Sequence, residues 1–244
     1  MSKNLKDELI QSLIDQKEIF GDVLFEENII KTRKTEIIKN SDAMKDSLFK
    51  EDWELTENLE DLNRLICKCK KCPLGETRNK FVFGTGNPDA DAMCIGEGPG
   101  ADEDAQGLPF VGRAGRLLTD ILKAIKFERE EVYIANVVKC RPPGNRTPLP
   151  IEMDTCLPYL KKQIELIKPK VILCLGLTAA QGLLKKRDSL TNMRGNVFDF
   201  DSDGFKTKVM VTYHPAALLR NPNWKRGCWE DVQKFRKLYD ELTN

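Results

Sequence analysis

Four cysteines in this sequence stand at positions typical of metal ligands. Cys69 and Cys72 form a C-x2-C pair in a lysine-rich turn, and Cys140 and Cys156 lie in or beside proline-containing segments. Four thiolates can hold either a zinc ion or an iron-sulfur cluster, so the spacing alone leaves both open. The alternative to a metal site is a chance grouping of cysteines in a basic turn. Cys67 adds a third thiol to the first segment, although Cys69 and Cys72 have the better spacing.

Three side chains near predicted loops suit recognition of a polar ring. His214 is the only histidine and stands between an apolar run and Pro215. Asn136 lies within an apolar run, where an amide without a partner is costly to bury. Phe110 follows a Gly-Leu-Pro turn that can present its ring at a loop tip. Each residue also has a purely structural alternative. In these alternatives His214 has no functional role, Asn136 ties two loops together, and Phe110 belongs to the core.

Apolar runs alternate with helical patterns, which predicts an α/β layered domain. The ligand site of an open parallel sheet lies outside the carboxyl ends of its strands, so we expect the loops after these strands to form the site. The Gly-rich loop at 96–100 has neither G-x-G-x-x-G nor a P-loop lysine, which argues against a nucleotide fingerprint. Strands are predicted at 92–95, 132–138, 171–175 and 209–213, and helices at 113–125, 151–167, 178–186 and 229–242.

Composition and charge narrow the class of protein. With 41% hydrophobic and 32% charged residues, the chain is neither wholly disordered nor a membrane protein. No secretory signal is evident, so we expect a cytoplasmic, nucleoid-associated protein with reduced thiols rather than a disulfide framework. Residues 1–60 have a net charge of −6 and residues 61–244 one of +7, which permits a polyanionic partner for the larger piece. An amphipathic helix is predicted at 5–20 and a linker at 21–60.

Six motifs in order resemble the iron-sulfur uracil-DNA glycosylases, family four of the uracil-DNA glycosylase superfamily. The resemblance covers roughly residues 65–243 and implies a three-layer α/β/α sandwich around a central, mainly parallel sheet. Residues 61–244 would form the glycosylase domain, and residues 1–60 a helical or disordered acidic extension for which the sequence identifies no partner. The motifs read C-x2-C-P-L, F-G-x-G-N-P, G-E-G-P-G-x-x-E-D, G-x-P-F-V-G-R-A-G, N-V-V-K-C-R-P-P-x-N-R and H-P-A-x-L-L-R-N-P.

The resemblance implies an enzyme and a cofactor. The enzyme would be a monofunctional, monomeric glycosylase that hydrolyses the N-glycosidic bond of deoxyuridine in single- or double-stranded DNA. It would release uracil and leave an abasic site for base excision repair, with water as nucleophile. A related branch traps its product covalently through a histidine in the loop after the third cluster cysteine. This loop, 141–146, has no histidine here, so ordinary turnover is expected. The resemblance gives Lys139 no nucleophilic role, so strand cleavage through a Schiff base is not expected. A structural 4Fe-4S cluster would be held by Cys69, Cys72, Cys140 and Cys156.

The same resemblance assigns roles around the pocket. Phe110 would stack on uracil, Asn136 would read its N3–H and O4, and His214 would donate a hydrogen bond to O2 as negative charge develops there. Glu97, beside Gly98, would position the attacking water or exclude the C5 methyl of thymine. Glu103 is the third catalytic candidate beside His214 and Glu97, and Gly98 and Asn145 would help to bind uracil. DNA contacts would come from Leu218, Leu219 and Arg220.

Several of these assignments keep an alternative. Leu218 and Leu219 would be an apolar wedge for the emptied base stack, or simply the start of a core helix. Glu103 would support the pocket or be a solvated loop acid. For the whole protein, the main rival is a non-catalytic iron-sulfur DNA-binding module, and a second rival is a zinc-stabilised hydrolase of small nucleosides.

Overall fold

The computed structural model describes residues 50–202 and 204–243. The helix predicted at 5–20 and most of the linker predicted at 21–60 lie outside the described residues. The compact unit that carries the sheet begins at Asp52, ahead of the boundary predicted at residue 61. A short 3-10 turn at Asp52–Leu55 belongs to this unit because the Trp53 ring packs edge-on against Tyr159, with centroids 4.8 Å apart.

One six-stranded sheet forms the centre of the described unit. The strand order is β1-β3-β2-β4-β6-β5, in which the four inner strands run parallel and both edge strands are antiparallel. The predicted mainly parallel sheet is therefore confirmed. The strands are β1 (Thr85–Gly86), β2 (Ala92–Gly96), β3 (Tyr133–Asn136), β4 (Val171–Leu175), β5 (Val197–Ser202) and β6 (Phe205–Thr212).

Helices cover both faces of this sheet. The four predicted helices are confirmed as α4, α5, α6 and α9, although α9 begins earlier than expected. Short 3-10 turns follow β3 and α8, at Pro143–Asn145 and Pro222–Trp224. The helices are α1 (Leu59–Ile66), α2 (Leu74–Thr77), α3 (Ala101–Gln106), α4 (Arg113–Ala124), α5 (Pro150–Ile167), α6 (Leu177–Leu184), α7 (Leu190–Met193), α8 (Pro215–Arg220) and α9 (Lys225–Thr243).

Two hydrophobic cores separate the three layers. Met93 and Ile95 of β2 pack with α1, α5 and α6 on one face, whereas Cys94 packs with α4 and α9 on the other. This alternation follows from the two-residue period of a strand. Every residue of β2 and β4 is buried, as expected of parallel strands covered on both faces. No described helix has the length and hydropathy needed to cross a membrane.

Strand register brings the site residues to one edge of the sheet. Gly96, the last residue of β2, pairs with Asn136, the last residue of β3. On the other side of β2, Leu175 at the end of β4 pairs with Thr212 at the end of β6. The loops that follow all four strands therefore leave the sheet at the same level.

Candidate active site and cysteine cluster

A pocket of about 400 Å³ opens at the carboxyl ends of the parallel strands. Three of the four strand-end loops line it, after β2, β3 and β6. The loop after β4 contributes no lining residue; its Gly176, at φ +93°, lies under His214, where an added Cβ would come within 3.0 Å of the His214 Cβ. The predicted site residues that line the pocket are Glu97, Gly98, Glu103, Phe110, Asn136, Asn145, His214 and Arg220.

Asn136 lines this pocket and has a polar atom that is unsatisfied among the described residues. The residue is 2% exposed, and its Oδ1 is buried without a hydrogen-bond partner among the described residues. Leaving such a group unpaired costs about 1 to 3 kcal/mol, which a ligand donor would recover. The neighbouring strand makes room for the amide, because a Cβ on Gly96 would lie 2.4 Å from Oδ1. No hydrogen bond from Oδ1 to another described loop supports the alternative that this oxygen ties two loops, and the binding role of Asn136 stays a prediction.

Phe110 is held in a strained backbone conformation. Its φ of +53° lies in the left-handed region, which costs a non-glycine residue on the order of 1 to 3 kcal/mol. Glu103 stabilises the strained loop, since its Oε1 accepts hydrogen bonds from the backbone N–H of Val111 at 2.9 Å and of Gly112 at 3.0 Å. The carboxylate is therefore a support for the loop and not a solvated acid.

Two further residues support the same loop, and sequence reasoning missed both. Arg129 donates to the Pro109 carbonyl at 2.8 Å. Gly115 lies so close beneath the loop that an added Cβ would come within 1.8 Å of the Phe110 carbonyl oxygen. The conformation that results places the Phe110 ring 5.6 Å from the His214 ring, between centroids, with a tilt of 32°. Gly115 stands in the G-R-A-G motif, whereas nothing in the local sequence points to Arg129.

His214 is oriented by the helix that it begins. Its Nδ1 accepts a hydrogen bond from the Ala216 backbone N–H at 3.1 Å and so caps α8. In the neutral ring the proton consequently stands on Nε2, which makes that nitrogen a donor. Burial, assisted by the positive charge of Arg220 and opposed by Glu103, lowers the pKa of His214 to about 4. At neutral pH the pocket therefore contains a neutral imidazole with one fixed donor.

This arrangement predicts an unusual titration of the single histidine. We expect its ring protons, followed by NMR, to stay unchanged from pH 8 to 5.5 and to titrate with a midpoint near pH 4. Because the ordinary pKa of about 6.5 is lowered on folding, neutral His214 stabilises the fold above about pH 6.5. This contribution is lost as the pH falls through about 4. A midpoint near 6.5 in the folded protein would contradict the geometry.

The remaining loop residues have mainly local contacts. Val138 N–H donates to the Glu97 carbonyl at 3.1 Å, and a Cβ on Gly98 would lie 2.6 Å from Val138 Cγ2. Gly98 is thus required for packing against the loop after β3. Asn145, at φ +56°, accepts a hydrogen bond from Arg141 Nε at 2.7 Å. Glu97 lines the pocket, and its catalytic role stays a prediction.

The structure corrects the DNA contact predicted for Leu218. That side chain is 1% exposed and packs in the core between α4 and α9, so from this position it cannot enter a base stack. The next residue, Leu219, is 43% exposed. Arg220 lines the pocket mouth at the end of α8. Leu219 is thus the leucine of the predicted pair that is placed to act as a wedge.

The four predicted ligand cysteines come together in one region of the protein. Cys140 and Cys156 are buried in the same core, and Cys69 and Cys72 pack against it half-buried. Burial raises the pKa of Cys140 to about 11 and that of Cys156 to about 12, so without a metal both are thiols. Cys67 is also half-buried and donates to the Arg64 carbonyl instead.

Hydrogen-bond donors surround three of these sulfur atoms. Arg78 Nη1 lies 3.2 Å from Cys140 Sγ, the Lys139 N–H 3.3 Å from Cys156 Sγ, and the Tyr159 hydroxyl 3.3 Å from Cys69 Sγ. Donors of this kind stabilise thiolates that bind a metal or cluster. Trp53, which packs on Tyr159, has a buried Nε1 without a partner among the described residues. The donor set fits a group that carries negative charge on sulfur.

The cysteines do not gather as ligands of one ion do. Among residues 50–202 and 204–243, no three Cys, His, Asp or Glu side chains are grouped closely enough to hold a single metal ion. A four-iron cluster binds each cysteine through a different iron, so its ligands lie farther apart than those of one zinc ion. The identity of the bound group stays a prediction.

Comparison of the sequence with known proteins identifies the family. Residues 83–240 match the family model of the uracil DNA glycosylase superfamily. A type-4 uracil-DNA glycosylase of Archaeoglobus fulgidus is 45% identical over 186 residues, covering 75% of this chain and 94% of that protein. A type-4 enzyme of Thermotoga maritima is 46% identical over 185 residues, covering 75% and 95%.

The type-5 branch is less similar. A type-5 uracil-DNA glycosylase of Pyrobaculum aerophilum is 32% identical over only 90 residues, which cover 37% of this chain and 38% of that protein. A type-4 enzyme of the same organism is 42% identical over 182 residues, or 73% of this chain and 93% of that protein. With 42 to 46% identity over 93 to 95% of these type-4 enzymes, the chain belongs to the type-4 uracil-DNA glycosylases of the uracil-DNA glycosylase superfamily.

Proposed function

We propose that this chain is a uracil-DNA glycosylase that hydrolyses the N-glycosidic bond of deoxyuridine in DNA and leaves an abasic site for repair. The observation that carries the proposal is the buried, unpartnered Oδ1 of Asn136 in a pocket beside the Phe110 and His214 rings. An amide offers one acceptor and two donors, which complement the N3–H and O4 of uracil. We further propose that the enzyme acts as a monomer.

Binding begins with a base that has left the DNA stack. Unstacking costs a few kcal/mol, roughly, and contacts inside the pocket must offset that cost. The Phe110 ring supplies a stacking face, and its strained loop holds that face in place before the base arrives. Asn136 supplies the polar contacts, so we expect little rearrangement of these two residues when the base enters.

Bond cleavage moves an electron pair to the base. When the bond between C1′ and N1 breaks, uracil leaves with that pair and negative charge spreads to O2. The Nε2–H of His214 is a fixed donor for that charge, which it stabilises more strongly in the transition state than in the ground state. A water oxygen bonds to C1′ and loses one proton, and uracil ends the reaction with one proton. We assign Glu97 to hold this water or to exclude the thymine methyl.

The cofactor that fits the cysteine region is a 4Fe-4S cluster held by Cys69, Cys72, Cys140 and Cys156. When bound, it would supply a covalent link between the start of the unit, the loop after β3 and α5. Lys139 connects this region to the pocket, because its Nζ donates to the Asn136 carbonyl at 3.0 Å and to Gln163 Oε1 at 2.5 Å. The cluster would thereby stabilise the strand end that carries Asn136.

Replacing a buried ligand should remove the cluster and stability together. We expect Cys156→Ala to lose the brown charge-transfer absorbance and the iron, with a marked fall of the melting temperature, because a link between separated segments is lost. Cys67→Ala is the matched control and should keep colour, iron content and melting temperature. The assignment fails if Cys156→Ala stays brown, or if it is colourless yet as stable and active as the wild type.

The proposed activity is tested by measuring free base released from a uracil-containing oligonucleotide, beside an otherwise identical thymine control. Release of uracil, with none of thymine, is the expected result. Binding of the uracil oligonucleotide without release of base would favour the non-catalytic binding module. Cleavage of free deoxyuridine at the same rate as the oligonucleotide would favour a nucleoside hydrolase.

A further inference from the structure

An exposed aromatic ring lies just outside the pocket, on the side of α8. Trp224 is 41% exposed and ends the 3-10 turn Pro222–Trp224, which directly follows α8 and the pocket residue Arg220. The uracil chemistry described above does not use this ring. A large exposed aromatic beside a nucleic-acid site has a ready partner in a nucleobase, because every base has a π face.

The ring is the outer layer of an ordered stack. Trp224 lies against Tyr213 with centroids 5.1 Å apart and an interplanar angle of 18°. The Arg194 guanidinium lies 5.0 Å from the centroid of the Tyr213 ring. Arg194 is itself fixed by the buried Asp231, through contacts of 2.9 and 3.1 Å, and by the Gly227 carbonyl. Trp224 is thereby preorganised, so less conformational entropy is lost when a ligand stacks on it.

The surrounding segment has the charge that a DNA strand requires. No acidic residue occurs from Pro215 to Trp229, whereas Arg220, Lys225 and Arg226 are exposed. Of these, Arg226 lies 3.5 Å from Glu230 in an open i, i+4 pair, and its side chain is 91% exposed. Such cations contact phosphates without regard to sequence. Arg220 lines the pocket, and Trp224 follows four residues later in the turn directly after α8, so one short segment carries both residues.

We propose that Trp224 stacks on an unpaired base of the DNA strand, adjacent to the uracil nucleotide, while Arg220, Lys225 and Arg226 contact the backbone. The proposal rests on the proposed function and adds a subsite for the flanking nucleotide. Stacking requires a base that is free of its own partner. The contribution of Trp224 is accordingly larger for single-stranded than for double-stranded substrate.

A second exposed tryptophan in the same segment provides the matched control. Trp229 is 43% exposed, almost as much as Trp224, but it lines a separate apolar groove with Leu117 and Ile121. Trp229→Ala therefore removes the same type of side chain from the same segment and leaves the stacking of Trp224 on Tyr213 in place. Trp224→Phe is the conservative variant, because phenylalanine keeps an aromatic face.

The experiment measures kcat and KM for a short single-stranded oligodeoxynucleotide with one deoxyuridine. A contact away from the reacting atoms contributes equally to ground state and transition state, so it changes KM and leaves kcat unchanged. We expect Trp224→Ala to raise KM between about 5-fold and 100-fold, Trp224→Phe to raise it only slightly, and Trp229→Ala to leave it unchanged. For the duplex substrate the rise should be smaller.

Salt dependence separates stacking from phosphate contact. The slope of log affinity against log salt reports the number of phosphates neutralised, so Trp224→Ala should keep the wild-type slope, whereas Arg226→Ala should make it shallower by about one. A wild-type KM for Trp224→Ala, an equal rise for Trp229→Ala, or a shallower slope for Trp224→Ala overturns the proposal. If wild-type protein releases no uracil, the proposed function fails; Trp224-dependent binding of the oligonucleotide would then still support the subsite.

Discussion

Replacing His214 with alanine is expected to lower kcat for uracil release by about 10²- to 10³-fold, the usual cost of one lost donor to a developing anion. The Nε2–H of the neutral ring is fixed by the Nδ1 contact to Ala216, so the donor needs no reorganisation during the reaction. Single-turnover measurements with saturating enzyme should show the loss in the chemical step. KM should change little, because the interaction strengthens only as charge develops.

A second substitution separates catalysis from capping. His214 also caps α8, and losing a cap costs about 1 kcal/mol, so His214→Ala should be slightly less stable. His214→Asn restores a good cap while lacking the Nε2 donor, and we expect it to recover the melting temperature but not kcat. A normal kcat in a folded His214→Ala protein would place the anion donor elsewhere. Recovery of full activity by His214→Asn would reduce His214 to a structural role.

The layered fold was predictable because its central strands are buried on both faces. The runs at 92–95 and 171–175 are uninterrupted and apolar, and the structure confirms β2 and β4 there. The edge strands could not be found in this way. β1 has only two residues, and β5, Val197–Ser202, alternates buried positions with exposed acids because one of its faces is solvated. The antiparallel pairing of β5 with β6 also explains why β6 begins at Phe205, before the predicted residue 209.

A site residue could be predicted only where its neighbours in the sequence point to it. His214 and Asn136 were predictable because each is a polar group at the end of an apolar run. Arg129 was not, since its contact with the Pro109 carbonyl joins segments twenty positions apart. For Leu218 and Leu219 the sequence does not decide which side chain is exposed, because either of two adjacent residues in a short helix can face the core. Only tertiary packing decides that Leu218 is buried and Leu219 exposed.

Replacing Asn136 with leucine should separate activity from stability. Uracil N3–H and O4 would then enter the pocket without partners, and each unpaired buried group costs about 1 to 3 kcal/mol. We expect kcat/KM for uracil release to fall between about 10²- and 10⁴-fold. In the free protein the same substitution should not be destabilising, because it removes a buried oxygen that has no partner among the described residues. The free energy of unfolding should therefore equal or exceed that of the wild type.

An isosteric variant tests which part of the amide matters. Asn136→Asp keeps the size of the side chain and an acceptor for N3–H but loses the donor for O4, so its activity should lie between the wild type and Asn136→Leu. Denaturant unfolding and uracil-release kinetics on the three proteins decide the question. If Asn136→Leu loses activity and stability together, Asn136 is a structural link between loops. If activity falls while stability is kept or gained, the unpaired oxygen is a binding group that the fold holds for its substrate.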